Sequence, residues 1–159
     1  MENSKLSNIG LNKESIKETA NHLNDLLSNY QLFYMNLRGF HWNIKGKKFF
    51  ELHLKFEELY NDALIKVDEI AERVLTLSGT PIHTFSKYMD HSEIKATENV
   101  VDGDIAVDAI LDNLSILLKK ERAILSIAAE ANDEGTVSQM GDYIVEQEKL
   151  VWMLSAYKD

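Results

Sequence analysis

Apolar residues recur at steps of three and four along four long stretches of this chain, with few breakers inside them. The first, about Lys13 to Trp42, carries Ile16, Ala20, Leu23, Leu27, Tyr30, Tyr34 and Leu37 on one stripe. The second, about Phe49 to Leu77, carries Leu52, Phe56, Leu59, Ala63, Val67, Ile70 and Val74. The third, about Asp104 to Ala131, carries Ile105, Ile110, Leu114, Leu117, Leu118 and Leu125. The fourth opens on Thr136 and Gln139 as a capping box and runs to about Tyr157. This period belongs to a helix that buries one face, not to a strand. One proline and seven glycines in 159 residues leave little material for a many-turned β architecture. Asn12 is the predicted N-cap of the first helix, and Asn43 to Lys48 the turn after it. Ser78-Gly79-Thr80-Pro81 ends the second helix, with Gly79 able to take a left-handed cap and Pro81 blocking continuation.

The expectation is an all-α four-helix bundle forming a single domain over residues 1–159, with residues 1–12 as a loose N-terminal arm. The long connection lies between the second and third long helices. It predicts a single-crossover bundle with a short extra helix at Thr84 to Met89. No apolar run is long enough to span a bilayer, and no basic segment followed by an apolar core opens the chain. The expected location is therefore cytoplasmic, with no membrane partner. The absence of cysteine excludes disulfides, thiolate metal sites and a cysteine nucleophile. A net charge of −9 argues against nucleic acid and mildly favours cations as partners.

The second helix carries the informative stripe. Taking His53 as zero, Glu57 lies at ~40°, Asp68 at ~60° and Glu72 at ~100° around the helix, so all four share one face. Lys55, Glu58, Asp62, Glu69 and Arg73 fall on what reads as the solvated face. Ionisable groups at the margin of an apolar face need a partner or a metal. His53 and Asp68 are ~22 Å apart along a helix, so one ion cannot reach both ends of the stripe in one chain. The spacing is palindromic, however: His53/Glu72 and Glu57/Asp68 share one midpoint, at about position 62.5. Two copies packed antiparallel about that point would set His53 against the partner's Glu72, and Glu57 against the partner's Asp68. Each dimer would then hold two equivalent shared sites. Imidazole with carboxylate, and no sulfur, suits Fe(II), Mn(II) or Zn(II). The plainer reading is a stripe that only joins subunits in a structural or interaction bundle.

Phe40-His41-Trp42, Gly46, Phe49-Phe50, Leu52-His53 and Asp68-Glu69-Ile70-Ala71-Glu72-Arg73 together closely resemble the Dps family of mini-ferritins. The resemblance implies a ferritin-like four-helix bundle with a short extra helix, assembled from twofold dimers into a hollow shell of twelve subunits. It also implies oxidation of Fe(II) by hydrogen peroxide at di-iron sites between subunits, storage of Fe(III) inside, and protection against oxidative damage. Carried over by position, His41, His53 and Glu57 come from one subunit, and Asp68 and Glu72 from its partner. Family members more often have Asp where this chain has Glu57. Trp42 matches a tryptophan that gives up an electron to stray oxidant in related proteins. A shell also needs a route for cations, and Asp133, Glu134 and Asp142, near the third-to-fourth helix junction, are the candidates for an acidic pore.

Members of the family that bind DNA generally do so through a basic terminal tail. Here Lys5 is the only base in the first twelve residues, and the chain ends Ala156-Tyr157-Lys158-Asp159. A DNA-compacting shell with secondary iron chemistry is therefore the weakest alternative. None of the five histidines follows a Glu by three residues, which argues against an intrachain di-iron site of the ordinary ferritin kind. His83 and His91, eight apart in the long connection, are a weak surface-metal pair. Nucleotide and esterase motifs are absent.

Overall fold

Residues 5–159 are described by the structure, a computed structural model. Five helices follow in order: α1 Lys13–Asn43, α2 Phe49–Thr76, α3 Phe85–His91, α4 Gly103–Glu130 and α5 Glu134–Lys158. α1 packs on α2, α3 and α4, and α4 packs on α5. The expected stripes meet inside: Leu23, Leu27, Leu37, Phe56, Ile70, Val74, Ile110, Leu114 and Leu117 are all fully or almost fully buried.

Several local details differ from the sequence reading. Of the arm expected over residues 1–12, residues 1–4 lie outside the described residues. Residues 5–12 are not loose. They close a turn in which Leu6 bridges Asn12 and the Lys13 amide donates to the Lys5 carbonyl at 2.9 Å. Asn12 caps α1 as expected, accepting from the amides of Glu14 (3.0 Å) and Ser15 (3.2 Å). The cap of α5 is Asp133 rather than Thr136, whose own amide donates to Asp133 Oδ1 at 3.0 Å. Gln139 completes no capping box and instead donates to the Tyr143 hydroxyl. At the end of α2 the left-handed residue is Ser78 (φ 64°), not Gly79. Gly79 is needed for room: a Cβ there would lie 3.1 Å from Ala20 Cβ and 3.0 Å from Val74 Cγ1.

The crossover from α2 to α4 is held by three asparagines on α1. Asn24 takes the Ile82 amide (2.8 Å) and donates to the Thr80 carbonyl (3.0 Å). Asn29, fully buried, accepts from the amides of Glu93 and Ile94, both at 3.0 Å. Asn36 accepts from the Thr97 amide (3.0 Å) and donates to the Lys95 carbonyl (2.9 Å). A non-helical segment lying on a helix cannot satisfy its own backbone, and these side chains substitute for a ladder partner.

Charge also enters the bundle centre. Glu121 is fully buried and accepts from the Tyr30 hydroxyl (2.7 Å) and from Gln147 Nε2 (2.7 Å). Its second oxygen, Oε2, has no hydrogen-bond partner among the described residues. Burial pushes the carboxyl above its ordinary value of 4.5, against the pull of those two hydrogen bonds. The folded state thus holds the proton more tightly than the unfolded chain, so this group's contribution to stability falls as pH rises from about 4.5 toward the raised value. Glu121→Gln, which cannot ionise, is expected to flatten that part of the profile. Melting temperatures of both proteins from mildly acidic to neutral pH would test it, and an unchanged slope would refute the assignment.

Candidate metal centre

His41 sits in the last turn of α1 and His53 near the start of α2. The tight turn between them, with Gly46 at φ 115°, folds the two helices against each other. The imidazoles stack with centroids 3.8 Å apart and planes 13° apart. Their hydrogen bonds are reciprocal: His41 Nδ1 donates to the His53 carbonyl at 2.6 Å, and His53 Nδ1 donates to the His41 carbonyl at 2.8 Å. A carbonyl only accepts, so each Nδ1 carries the proton and each Nε2 keeps a free lone pair. His41 also belongs to the last turn of α1, where carbonyls lack helical partners, so His53 satisfies one of them. Phe49 stacks on His53 at 4.9 Å, and the Tyr60 ring meets His41 edge-on at 5.2 Å. Both imidazoles are thus locked in one tautomer and orientation, as metal-binding histidines generally are.

The carboxylates of the stripe are distributed as the helix arithmetic requires. Glu57 is half-buried, one turn beyond His53, while Asp68 and Glu72 are exposed in the second half of α2. Among the described residues, no three His, Asp or Glu side chains converge on a point where they could hold an ion. Exposed large apolar residues share the outward side of α2 with the stripe: Phe50, Leu54, Leu64, Ile65 and Leu75, of which Phe50 is 84 % exposed. Of these, Phe50 and Leu75 are equidistant from the midpoint of the stripe.

The opposite polar face is less solvated than its composition suggested. Arg73 pairs with Asp133 and donates to Thr136 Oγ1 at 2.9 Å. Glu69 accepts from the Tyr143 hydroxyl at 2.6 Å, and buried Lys66 bridges Asp62 (2.7 Å) and Glu146 (2.8 Å). These contacts clamp α2 onto α5. They also correct the pore assignment for Asp133, which is buried, caps α5 and neutralises Arg73. Glu134 and Asp142 are exposed on α5. His83 and His91 are both exposed and bond to different backbone carbonyls, of Pro81 and Lys87.

Trp42 is 55 % exposed and lies under the Arg38 guanidinium at 4.7 Å. The tyrosine that touches the histidine pair is Tyr60, against His41, and it is backed by Tyr34 at 6.2 Å. Neither tyrosine was singled out as a site residue from the sequence. The available signal was spacing: Tyr60 follows His53 by seven residues and Tyr34 precedes His41 by seven, two helical turns in each case.

A ferritin-like domain family matches residues 20–159 of this chain. The chain is 45% identical over 148 residues to a "DNA protection during starvation protein" of Porphyromonas gingivalis, covering 93% of each. It is 36% identical over 146 residues to the protein of that name from Brevibacillus brevis, covering 91% of this chain and 98% of the relative. Among solved structures it resembles the Dps protein of Vibrio cholerae, described as one of a superfamily of ferritin-like diiron-carboxylate proteins. The TM-score is 0.96, with 53% identity and 98% of each chain covered. The Staphylococcus aureus Dps structure matches with a TM-score of 0.87 at 31% identity, covering 90% of this chain and 96% of that one.

Proposed function

This chain belongs to the Dps family of ferritin-like proteins, and from that premise we propose that it stores iron and protects against oxidative damage. The reaction is oxidation of Fe(II) by hydrogen peroxide at sites shared by two subunits. Fe(III) is then deposited inside a shell of twelve subunits.

The observation that carries this reading is the reciprocal histidine pair. Two imidazoles fixed as Nδ1–H tautomers offer two Nε2 lone pairs, with His53 one helical turn before Glu57, and among the described residues no third His, Asp or Glu of the same chain converges with them. The missing ligands are on the same face of α2, exposed, at the palindromic positions Asp68 and Glu72. Each half-site is therefore His41, His53 and Glu57, completed by Asp68 and Glu72 of a second copy. The donor set is hard and intermediate, which suits Fe(II), with Mn(II) or Zn(II) as substitutes. Two Fe(II) ions give one electron each to a peroxide molecule. With two protons it leaves as two waters, and no hydroxyl radical is released. Glu134 and Asp142 are the carboxylates available to line a cation route, and the charge of −9 per chain opposes phosphate binding.

Stopped-flow mixing of the metal-free protein with Fe(II) and hydrogen peroxide tests the activity. Rapid oxidation is expected, and oxidation no faster than in protein-free buffer would leave only the structural bundle. Anomalous scattering from Fe(II)-soaked crystals tests the location. Iron at the boundary of two chains is expected, and all ligands from one chain would contradict the shared site.

A further inference from the structure

Two tyrosine rings lead away from the histidine pair, and the Arg38 guanidinium lies between the outer one and Trp42. Tyr60 meets His41 at 5.2 Å, and Tyr34 meets Tyr60 at 6.2 Å. The Arg38 guanidinium lies 5.2 Å from the Tyr34 ring and 4.7 Å from the Trp42 ring. We propose that Tyr60 and Tyr34 take up the one-electron oxidising equivalents that escape the metal centre, and that Trp42 is not the primary donor but passes its own oxidation back to the tyrosines. The proposal rests on the ferroxidase reading above.

Distance and charge both favour the tyrosines. Electron transfer slows steeply with the gap to be crossed, and Tyr60 is the ring in contact with a ligand histidine. Oxidised tryptophan is first a cation, and Arg38 stacked on Trp42 opposes a second positive charge there. Oxidised tyrosine loses its phenolic proton and becomes neutral, so Arg38 exacts no such penalty from Tyr34. Tyr34 and Tyr60 are half-buried, whereas Trp42 is mostly exposed.

The oxidant arises when peroxide meets a site holding a single iron. Fe(II) and hydrogen peroxide then give Fe(III), hydroxide and a hydroxyl radical. The radical takes the phenolic hydrogen atom of Tyr60, giving water and the Tyr60 phenoxyl radical. Tyr34 then gives an electron to Tyr60, which regains a proton from solvent as the Tyr34 phenol releases its own. A second Fe(II), on arriving, supplies one electron, and solvent supplies the proton that restores Tyr34. The sum is two Fe(II), one peroxide and one proton giving two Fe(III), one hydroxide and one water, the same two-electron outcome reached in two steps.

The assembled protein, given one Fe(II) per site and then hydrogen peroxide, is freeze-quenched for electron paramagnetic resonance. A tyrosyl signal is expected. Tyr60→Phe, which keeps the ring against His41, should lower it several-fold and raise trapped hydroxyl radical, while Trp42→Phe leaves it in place. An unchanged tyrosyl yield in Tyr60→Phe, or a tryptophanyl signal that disappears in Trp42→Phe, would overturn the proposal. A second measurement needs no iron. In Trp152→Phe protein, azidyl radicals from pulse radiolysis oxidise Trp42. Its radical should decay as a tyrosyl absorbance grows, several-fold more slowly in Tyr34→Phe. No such transfer in the metal-free protein would also overturn the relay. Slow iron oxidation beside intact transfer would instead count against the ferroxidase reading alone.

Discussion

Shells assembled from equal amounts of His53→Ala and Asp68→Ala subunits are expected to regain rapid iron oxidation, although shells of either variant alone have none. The two lesions lie ~22 Å apart along one helix, yet the proposed shared site would take its histidines from one chain and its outer carboxylates from the other. In a mixed dimer one site collects both lesions, and the second site, with histidines from the Asp68→Ala chain and carboxylates from the His53→Ala chain, is intact. Random pairing makes half of the dimers mixed, so about a quarter of all sites survive. Co-expression with distinguishable tags followed by stopped-flow iron oxidation measures that fraction. Placing both substitutions in one chain is the control: paired with wild type, it spoils both sites of a mixed dimer. If a single chain supplied every ligand, the mixture of single variants would stay inactive, and this outcome would refute the shared centre.

The helical fold was largely legible because its carriers are periodic. Helix extents follow from apolar spacing, and the observed limits of α1, α2, α4 and α5 lie within a residue or two of those expected. The family match of the whole bundle agrees with the motif around His41, His53 and Asp68. Details that depend on three-dimensional competition were not legible. Thr136 and Gln139 satisfy a capping-box pattern, but Asp133 is closer to the helix start and is drawn in by Arg73 from α2. That ion pair also removed Asp133 from the candidate pore. Nothing in the apolar period marks Asn24, Asn29 and Asn36, because their role depends on where the crossover lies over α1. The histidine reciprocity could not be read either. A twelve-residue separation shows only that both residues flank a turn, whereas the backbone geometry decides that each ring reaches the other's carbonyl.

Leu64→Glu combined with Leu75→Glu is expected to hold subunits apart and to abolish rapid iron oxidation while leaving helicity unchanged. Both leucines are exposed on the separate chain, at 48 % and 58 %, so charge there costs the bundle little. They matter only when a second α2 covers them. A twofold interface repeats every substitution, so four new carboxylates enter a surface that already holds Glu57, Asp68 and Glu72 from each copy. Removing them from water without partners costs several kcal/mol each, more than an interface of this kind has to spare. Sedimentation and circular dichroism measure assembly and helicity, and the iron assay measures function on the same samples. Concerted loss of assembly and oxidation identifies the outward face of α2 as what completes the centre. Separated subunits that still oxidise iron at the wild-type rate would mean the palindrome in α2 has no part in the chemistry.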